Sequence, residues 1–152
     1  MEPLPHHYQV CVESRPESRA EISSVGLTPL SSAPPAEFDG PSHLWSPETL
    51  LVGAVADCFV LTFKSIASSA RFPWSRIYCD GEGILDRAEQ ALRFTDVRLR
   101  VRLEVPADSD PERARRLLEK AEKACLVGNS LRFSPVLEFE VVTEEVPLLT
   151  SQ

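Results

Sequence analysis

Apolar and polar positions alternate most cleanly over residues 92–105, where Val97, Leu99, Val101, Leu103 and Val105 are separated by Arg98, Arg100, Arg102 and Glu104. A period of two is that of a strand with one dry and one wet face. Residues 77–85 have strand composition too, and the polar stretch 86–90 between the two runs predicts the turn of an antiparallel pair. Near the N-terminus, Tyr8-Gln9-Val10-Cys11-Val12-Glu13 and a short second strand around Ala20-Glu21-Ile22 predict a hairpin with Arg15 to Arg19 near its turn. A last strand is expected over residues 136–142, with Leu137, Phe139 and Val141 inward and Glu138 and Glu140 outward.

Two segments carry helical signals instead. Ser46-Pro47-Glu48 opens the first: Ser caps orphan amides, Pro suits the first helical position and Glu sits at the positive end of the dipole. This helix is expected to run to about Ser69. Its early turns, Leu50-Leu51-Val52-Gly53-Ala54-Val55-Ala56, are apolar all round, so other elements or a second subunit must enclose it, and a dimer is expected. Asp110-Pro111-Glu112 opens the second helix, with the stripe Ala114, Leu117, Leu118, Ala121, Ala124, Cys125 and a stop at Gly128-Asn129. Between the hairpin and the first helix, residues 27–46 carry Pro29, Pro34, Pro35 and Pro41 and read as a long ordered loop without helix or central strand. The order β-β-α-β-β-α-β gives an α+β fold, with antiparallel sheets backed by a buried central helix and a second helix. One domain over residues 1–152 is expected, with residues 1–7 and 146–152 as flexible termini.

Composition narrows the functional classes. At 152 residues and 43% apolar content the chain can build a core without staples. Its 16 Lys+Arg against 23 Asp+Glu leave a net charge of −7, which argues against nucleic acid or an anionic membrane as partner. The N-terminal residues hold an acid and two prolines and no apolar run, so no secretory signal is read and a cytoplasmic location is expected. The longest apolar run, residues 50–63, is interrupted by Asp57 and closed by Lys64. It falls short of the ~20 residues of a membrane span. Four cysteines are too few for a disulfide framework, so their chemistry is reactive or incidental. No phosphate loop, metal motif or cofactor fingerprint is present, and no cofactor is expected.

Cys58 in the first helix and Cys125 near the end of the second both lie among apolar neighbours. As small hydrophobes they would simply pack. As a thiol pair, Cys58 would attack a peroxide oxygen as thiolate and Cys125 would resolve the sulfenic acid as a disulfide. A thiol in apolar surroundings resists ionisation, so this chemistry calls for a nearby cation. Arg15 and Arg19 are the candidates, with Glu48 able to orient a guanidinium through a forked pair of hydrogen bonds. Asp57 opposes activation only if it points with Cys58, and successive helical residues diverge by about 100°. Glu48 and Cys58 are ten residues apart, about 15 Å of rise on a continuous helix, so a shared site would have to form across a two-fold interface. His6, His7 and Cys11 match no metal-site spacing; His43 is a candidate pocket residue. Cys11 and Cys79 read as structural, and the Arg98, Arg100, Arg102 row as a solvent face paired with Glu138 and Glu140. Phe38, Trp45, Phe59 and Phe63 could wall an apolar entry.

The segment APPAEFDGPSHLWSPETLLVGAVADCF, with the later ACLVGNSL, resembles the osmotically inducible and organic hydroperoxide resistance (OsmC/Ohr) proteins, over residues 8–144. Its most specific parts are the Ser46-Pro47-Glu48 start with a cysteine ten residues after the Glu, and the Cys-x-x-x-Asn ending from Cys125 to Asn129. The resemblance implies an intertwined α+β homodimer with two interface sites. It also implies an organic hydroperoxide substrate, a reducing thiol or dithiol donor, and Cys58 as peroxidatic and Cys125 as resolving cysteine. Glu48 would hold the arginine, assigned to Arg19 with Arg15 as alternate. The chain departs from the hydroperoxide branch in the wider Arg15-Pro16-Glu17-Ser18-Arg19-Ala20 spacing, in Leu126 where proline is usual, and in Asp57 where a small residue is usual. The alternative is a dimeric stress or ligand-binding protein that keeps the fold while its cysteines merely pack.

Overall fold

A computed structural model describes residues 2–144, in two compact units, Met1–Leu50 and Leu51–Gln152. The expected tail 146–152 lies outside the described residues.

The first unit is built on a three-stranded antiparallel sheet in the order β1 (Cys11–Glu13), β2 (Ala20–Ser23), β3 (Leu30–Ser32). The β1–β2 turn is the one expected between Arg15 and Arg19, closed by the Ser18 N–H donating to Arg15 O at 3.0 Å. The first strand is shorter than the apolar alternation predicts. Cys11 pairs with Ser23, the last residue of β2, and before it Gln9 O accepts from the Ser24 side chain. The proline-rich stretch is also less of a loop than expected. Leu30–Ser32, between prolines, forms β3 on β2, and Ala36–Phe38 makes a short 3₁₀ turn. Edge strands tolerate flanking prolines because only one side of the ladder must be donated to.

The helix α1 (Pro47–Ser69) starts at the end of this unit and belongs for the rest to the second. Ser46 and Thr49 cap it reciprocally: Thr49 N–H donates to Ser46 Oγ at 3.1 Å, and Ser46 N–H to Thr49 Oγ1 at 2.9 Å. Its end is a Schellman turn at Arg71 (φ 50°), with Phe72 N–H donating to Ala67 O at 2.9 Å. By length and composition α1 is long and apolar enough to cross a membrane, so the expectation that the run is too short does not stand. Val55, Phe59, Phe63 and Ala67 of α1 are wholly buried in a protein core.

That core lies on one face of a second three-stranded sheet, β4 (Arg76–Ala88), β5 (Ala91–Val105) and β6 (Val136–Thr143), with β5 central. The hairpin turn is only Glu89-Gln90, both with positive φ, so the polar residues 86–88 that suggested a longer turn are strand. β6 runs parallel to β5, which makes the sheet mixed where an antiparallel one was expected. Parallel neighbours need a long crossover, and α2 (Pro111–Ala124) and α3 (Leu126–Asn129) supply it. Period-two patterning reports faces, not direction, so it could not reveal this. Val97, Leu99, Val101, Leu103 and Val105 meet α1 and the buried Ala114, Leu118 and Ala121 of α2. On the wet face Arg100 pairs with Glu82 at 2.9 Å and Glu138 at 3.6 Å, and Arg102 with Glu140 at 3.7 Å, the paired solvent face expected.

α1 lies so close to β4 that a side chain at Gly83 would stand 2.5 Å from Val52 Cγ2 and 2.7 Å from Phe94 Cε1. Gly83→Ala should therefore destabilise the chain by about 1–3 kcal/mol, read as a lower urea midpoint at unchanged slope. An unmoved midpoint would mean that α1 can retreat from the sheet without cost.

Candidate functional site

The second helix ends earlier than its apolar stripe predicts. α2 stops at Ala124, and Cys125 adopts an extended conformation (φ −66°, ψ 109°) before α3 begins at Leu126. Cys125 is both the end of one helix and the cap of the next: its Sγ accepts from Gly128 N–H at 3.4 Å, replacing the oxygen of a usual cap. The break turns the N–H groups of Leu126 and Val127 outward, because the first amides of a helix have no partner within it.

Cys58, half-buried on α1, receives them. Burial acts to raise its pKa, but hydrogen bonds from Val127 N–H, the Cys125 thiol, the Thr62 hydroxyl and Leu126 N–H outweigh it and hold the thiol below its ordinary value. The Thr62 oxygen is 4.0 Å from the sulfur, one helical turn on. Cys125 moves the other way. Burial raises it, and the hydrogen bond and charge of Cys58 add to that, against the lowering effect of Gly128 and Val127 N–H. Cys125 is 4% exposed, its Sγ lies 3.9 Å from Val55 O, and both thiols are free. The two thiols are thus shifted in opposite directions, Cys58 down and Cys125 up.

Asp57 is exposed and is absent from the groups acting on Cys58, in keeping with the 100° step between neighbours. Cys79 is half-buried on β4; burial, with the charges of Asp80 and Cys125 adding, pushes it up to about 11, the behaviour of an inert packed thiol. Cys11 is exposed. Among the described residues no three His, Cys, Asp or Glu side chains gather as a metal site.

The remaining predicted residues lie in the first unit. Arg15, Arg19 and Glu48 line one open cavity of about 980 Å³, with Phe38 and Leu44 as apolar wall. Arg15 and Arg19 are carried by the β1–β2 turn, which Ser14 and Ser18 brace through their hydroxyls. The forked Arg–Glu48 pair is not formed: among the described residues neither arginine bridges to Glu48, and Glu48 Oε2 is buried without a hydrogen-bond partner. A carboxylate so placed is costly until a donor reaches it. α1 is unbroken between Glu48 and Cys58. His43 is exposed and not among the lining residues, and of the aromatic wall only Phe38 is; Phe59 and Phe63 are core, and Trp45 is 51% exposed.

The family model of OsmC-like proteins matches residues 40–140 of the chain. The chain belongs to the OsmC-like protein family. Uncharacterized protein YmaD of Bacillus subtilis is 23% identical over 140 residues, 89% of this chain and 93% of YmaD. An OsmC-like protein of unknown function from Vibrio cholerae shares the fold with a TM-score of 0.82 at 19% identity, over 90% of this chain and all of that one. The organic hydroperoxide resistance protein OhrB of Bacillus subtilis does so with a TM-score of 0.63 at 21% identity, over 88% of this chain and 98% of OhrB. At these identities the structural likeness is one of fold. Some OsmC-like proteins thus carry the name of hydroperoxide resistance proteins, and others have no assigned activity.

Backbone donors on Cys58 were not foreseen from the residue pattern, which called for a cation. Only Thr62, four residues along the helix, was readable as a partner. Alkylation of Cys58 should follow a pH profile with its midpoint below that of a free thiol, since thiolate is the reacting form. Cys125→Ala removes a donor and should move the midpoint upward, while Cys125→Ser should keep most of the shift. A midpoint indifferent to both changes would show that Cys125 does not act on Cys58.

Proposed function

We propose that this OsmC-like chain is a thiol peroxidase that reduces organic hydroperoxides. The observation that supports it most directly is the opposed tuning of the two thiols, Cys58 lowered and Cys125 raised. The Cys58 thiolate attacks the terminal peroxide oxygen, the O–O bond breaks, and the leaving alkoxide takes a proton, giving Cys58 sulfenic acid and an alcohol. With the negative charge on Cys58 gone, a cause of the raised Cys125 pKa goes too. Cys125 then ionises more readily, attacks the sulfenic sulfur, and a disulfide and water result. A dithiol donor restores both thiols by exchange.

The cavity beside Glu48 gives the reading its second support. A half-buried carboxylate with one buried, unpartnered oxygen, lining the same cavity as two arginines, is suited to hold a guanidinium, which would stabilise the thiolate and donate to the leaving oxygen. Arg19 takes that role, with Arg15 as the alternate, and the apolar wall favours an alkyl substituent. Because α1 is continuous, Glu48 and its arginine serve Cys58 of a partner subunit in a homodimer. The stress-protein alternative keeps the fold and the dimer without turnover.

Purified protein with cumene hydroperoxide and excess dithiol should consume peroxide, and Cys58→Ser should abolish turnover. Arg19→Ala or Glu48→Gln should lower kcat/KM by roughly 10²-fold, the range for loss of one donor to a developing anion. Turnover surviving in Cys58→Ser eliminates the mechanism; a wild type that neither consumes peroxide nor loses free thiols establishes the alternative. Should Arg15→Ala cost more than Arg19→Ala, the arginine assignment is reversed.

A further inference from the structure

A helix that breaks leaves carbonyls as well as amides without their usual partners, and at Cys125 both can be followed. In a continuous helix Leu126 N–H would donate to Glu122 O and Val127 N–H to Lys123 O. The extended conformation of Cys125 (φ −66°, ψ 109°) takes both amides off that ladder, and both donate to Cys58. The two carbonyls left behind have other donors. Glu122 O accepts from Cys125 N–H at 3.3 Å, and Lys123 O accepts from the side-chain amide of Asn129 at 2.9 Å.

Asn129 is thereby tied to both sides of the break. Its side chain reaches back to the last turn of α2, while its own N–H donates to Cys125 O at 2.9 Å and closes the single turn of α3. Ser130 Oγ, donating to Leu126 O at 2.8 Å, reinforces that turn. Asn129 is exposed, so water could satisfy Lys123 O in its absence. Beyond satisfying a carbonyl, the side chain occupies the place that Val127 N–H would take if α2 ran on. Asparagine is among the residues whose side chains compete with the helix ladder in this way. Leu126 has an N–H and is a good helix former, so nothing at that position forbids α2 from continuing.

We propose that Asn129 is a positioning residue of the Cys58 site: by holding Lys123 O it keeps the chain broken at Cys125 and the amides of Leu126 and Val127 turned to the sulfur. It acts through the backbone and donates to neither thiol. The inference deepens the reading of that site, and it rests on the hydrogen bonds to Cys58 rather than on peroxide as the substrate. The spacing from Cys125 to Asn129 follows from it, because four residues make one helical turn, the separation at which the Asn129 N–H meets Cys125 O. Without the Asn129 side chain α2 can run on through Cys125, Val127 N–H returns to Lys123 O, and Cys58 loses that donor.

The test is alkylation of Cys58 against pH on the full chain, with the labelled peptide quantified by mass spectrometry. Asn129→Ala should raise the midpoint by roughly half a unit to one unit, the scale of one hydrogen bond lost. Leu126→Pro supplies a second background in which the break is held without Asn129. Proline fits the first position of a helix, cannot donate to Glu122 O, and keeps the residue before it extended, the conformation Cys125 already has. It removes one donor to Cys58, so its own midpoint is the reference there. In that background Asn129→Ala should move the midpoint by roughly a third as much or less, since the two changes act on one element. An unmoved midpoint in Asn129→Ala, or an equal rise in both backgrounds, overturns the proposal. Should Asn129→Ala fail to fold, Asn129→Asp keeps the shape and lacks the donor. Its added charge acts alike in both backgrounds, so a rise that Leu126→Pro reduces supports the proposal and one that it leaves unchanged overturns it. Alkylation needs no peroxide: an unmoved midpoint beside Cys58-dependent turnover defeats the role of Asn129 alone, and a raised midpoint in a protein that consumes no peroxide supports that role while the peroxidase falls.

Discussion

The rest of the site depends on hydrogen bonds to one sulfur atom prevailing over its burial. Cys58 is half-enclosed by apolar packing, which on its own would keep it a neutral thiol, and the opposing donors come from a helix that breaks at Cys125. Amides at the start of a helix have no partner inside it, so the break creates donors and directs them without any charged residue. The same break places the second sulfur. Cys125 caps the next turn, faces Cys58 and is held as a thiol by burial and by its neighbour.

Polarisation of this kind needs a rigid frame. α1 is pinned by a reciprocal Ser46–Thr49 cap at one end and a Schellman turn at the other, and its buried stripe meets a central β5 strand whose dry face is aliphatic throughout. The close approach of β4 through Gly81 and Gly83 sets how far the helix can settle toward the sheet. The parallel placement of β6 obliges the chain to cross over through α2 and α3, and that crossover brings Cys125 to the helix carrying Cys58.

Two features of the chain are incomplete as they stand: a half-buried Glu48 whose Oε2 is buried without a donor, and the apolar Leu61 of α1, 53% exposed to solvent. Both costs would fall on association with a second copy, the first by supply of a guanidinium to a shared site and the second by cover. A common remedy for two unrelated deficits is a physical reason to treat dimerisation and chemistry together.

Much of this was legible in the residue pattern. Alternation along residues 97–105 set the strand and its two faces, Ser46-Pro47 and Asp110-Pro111 set where helices start, and the all-round apolar run of α1 set the need for cover by other elements or a second subunit, because each is a consequence of local geometry and solvent. Motif spacing picked out Cys58, Cys125 and Glu48. The direction of β6, the strand hidden between prolines at Leu30–Ser32, the halt of α2 at Ala124 and the amides facing Cys58 depend on contacts between residues far apart in the chain. Periodicity tells which side of an element is dry. Only the assembled fold decides what stands against that side, and with it whether a buried sulfur is left as a thiol or held ready to ionise.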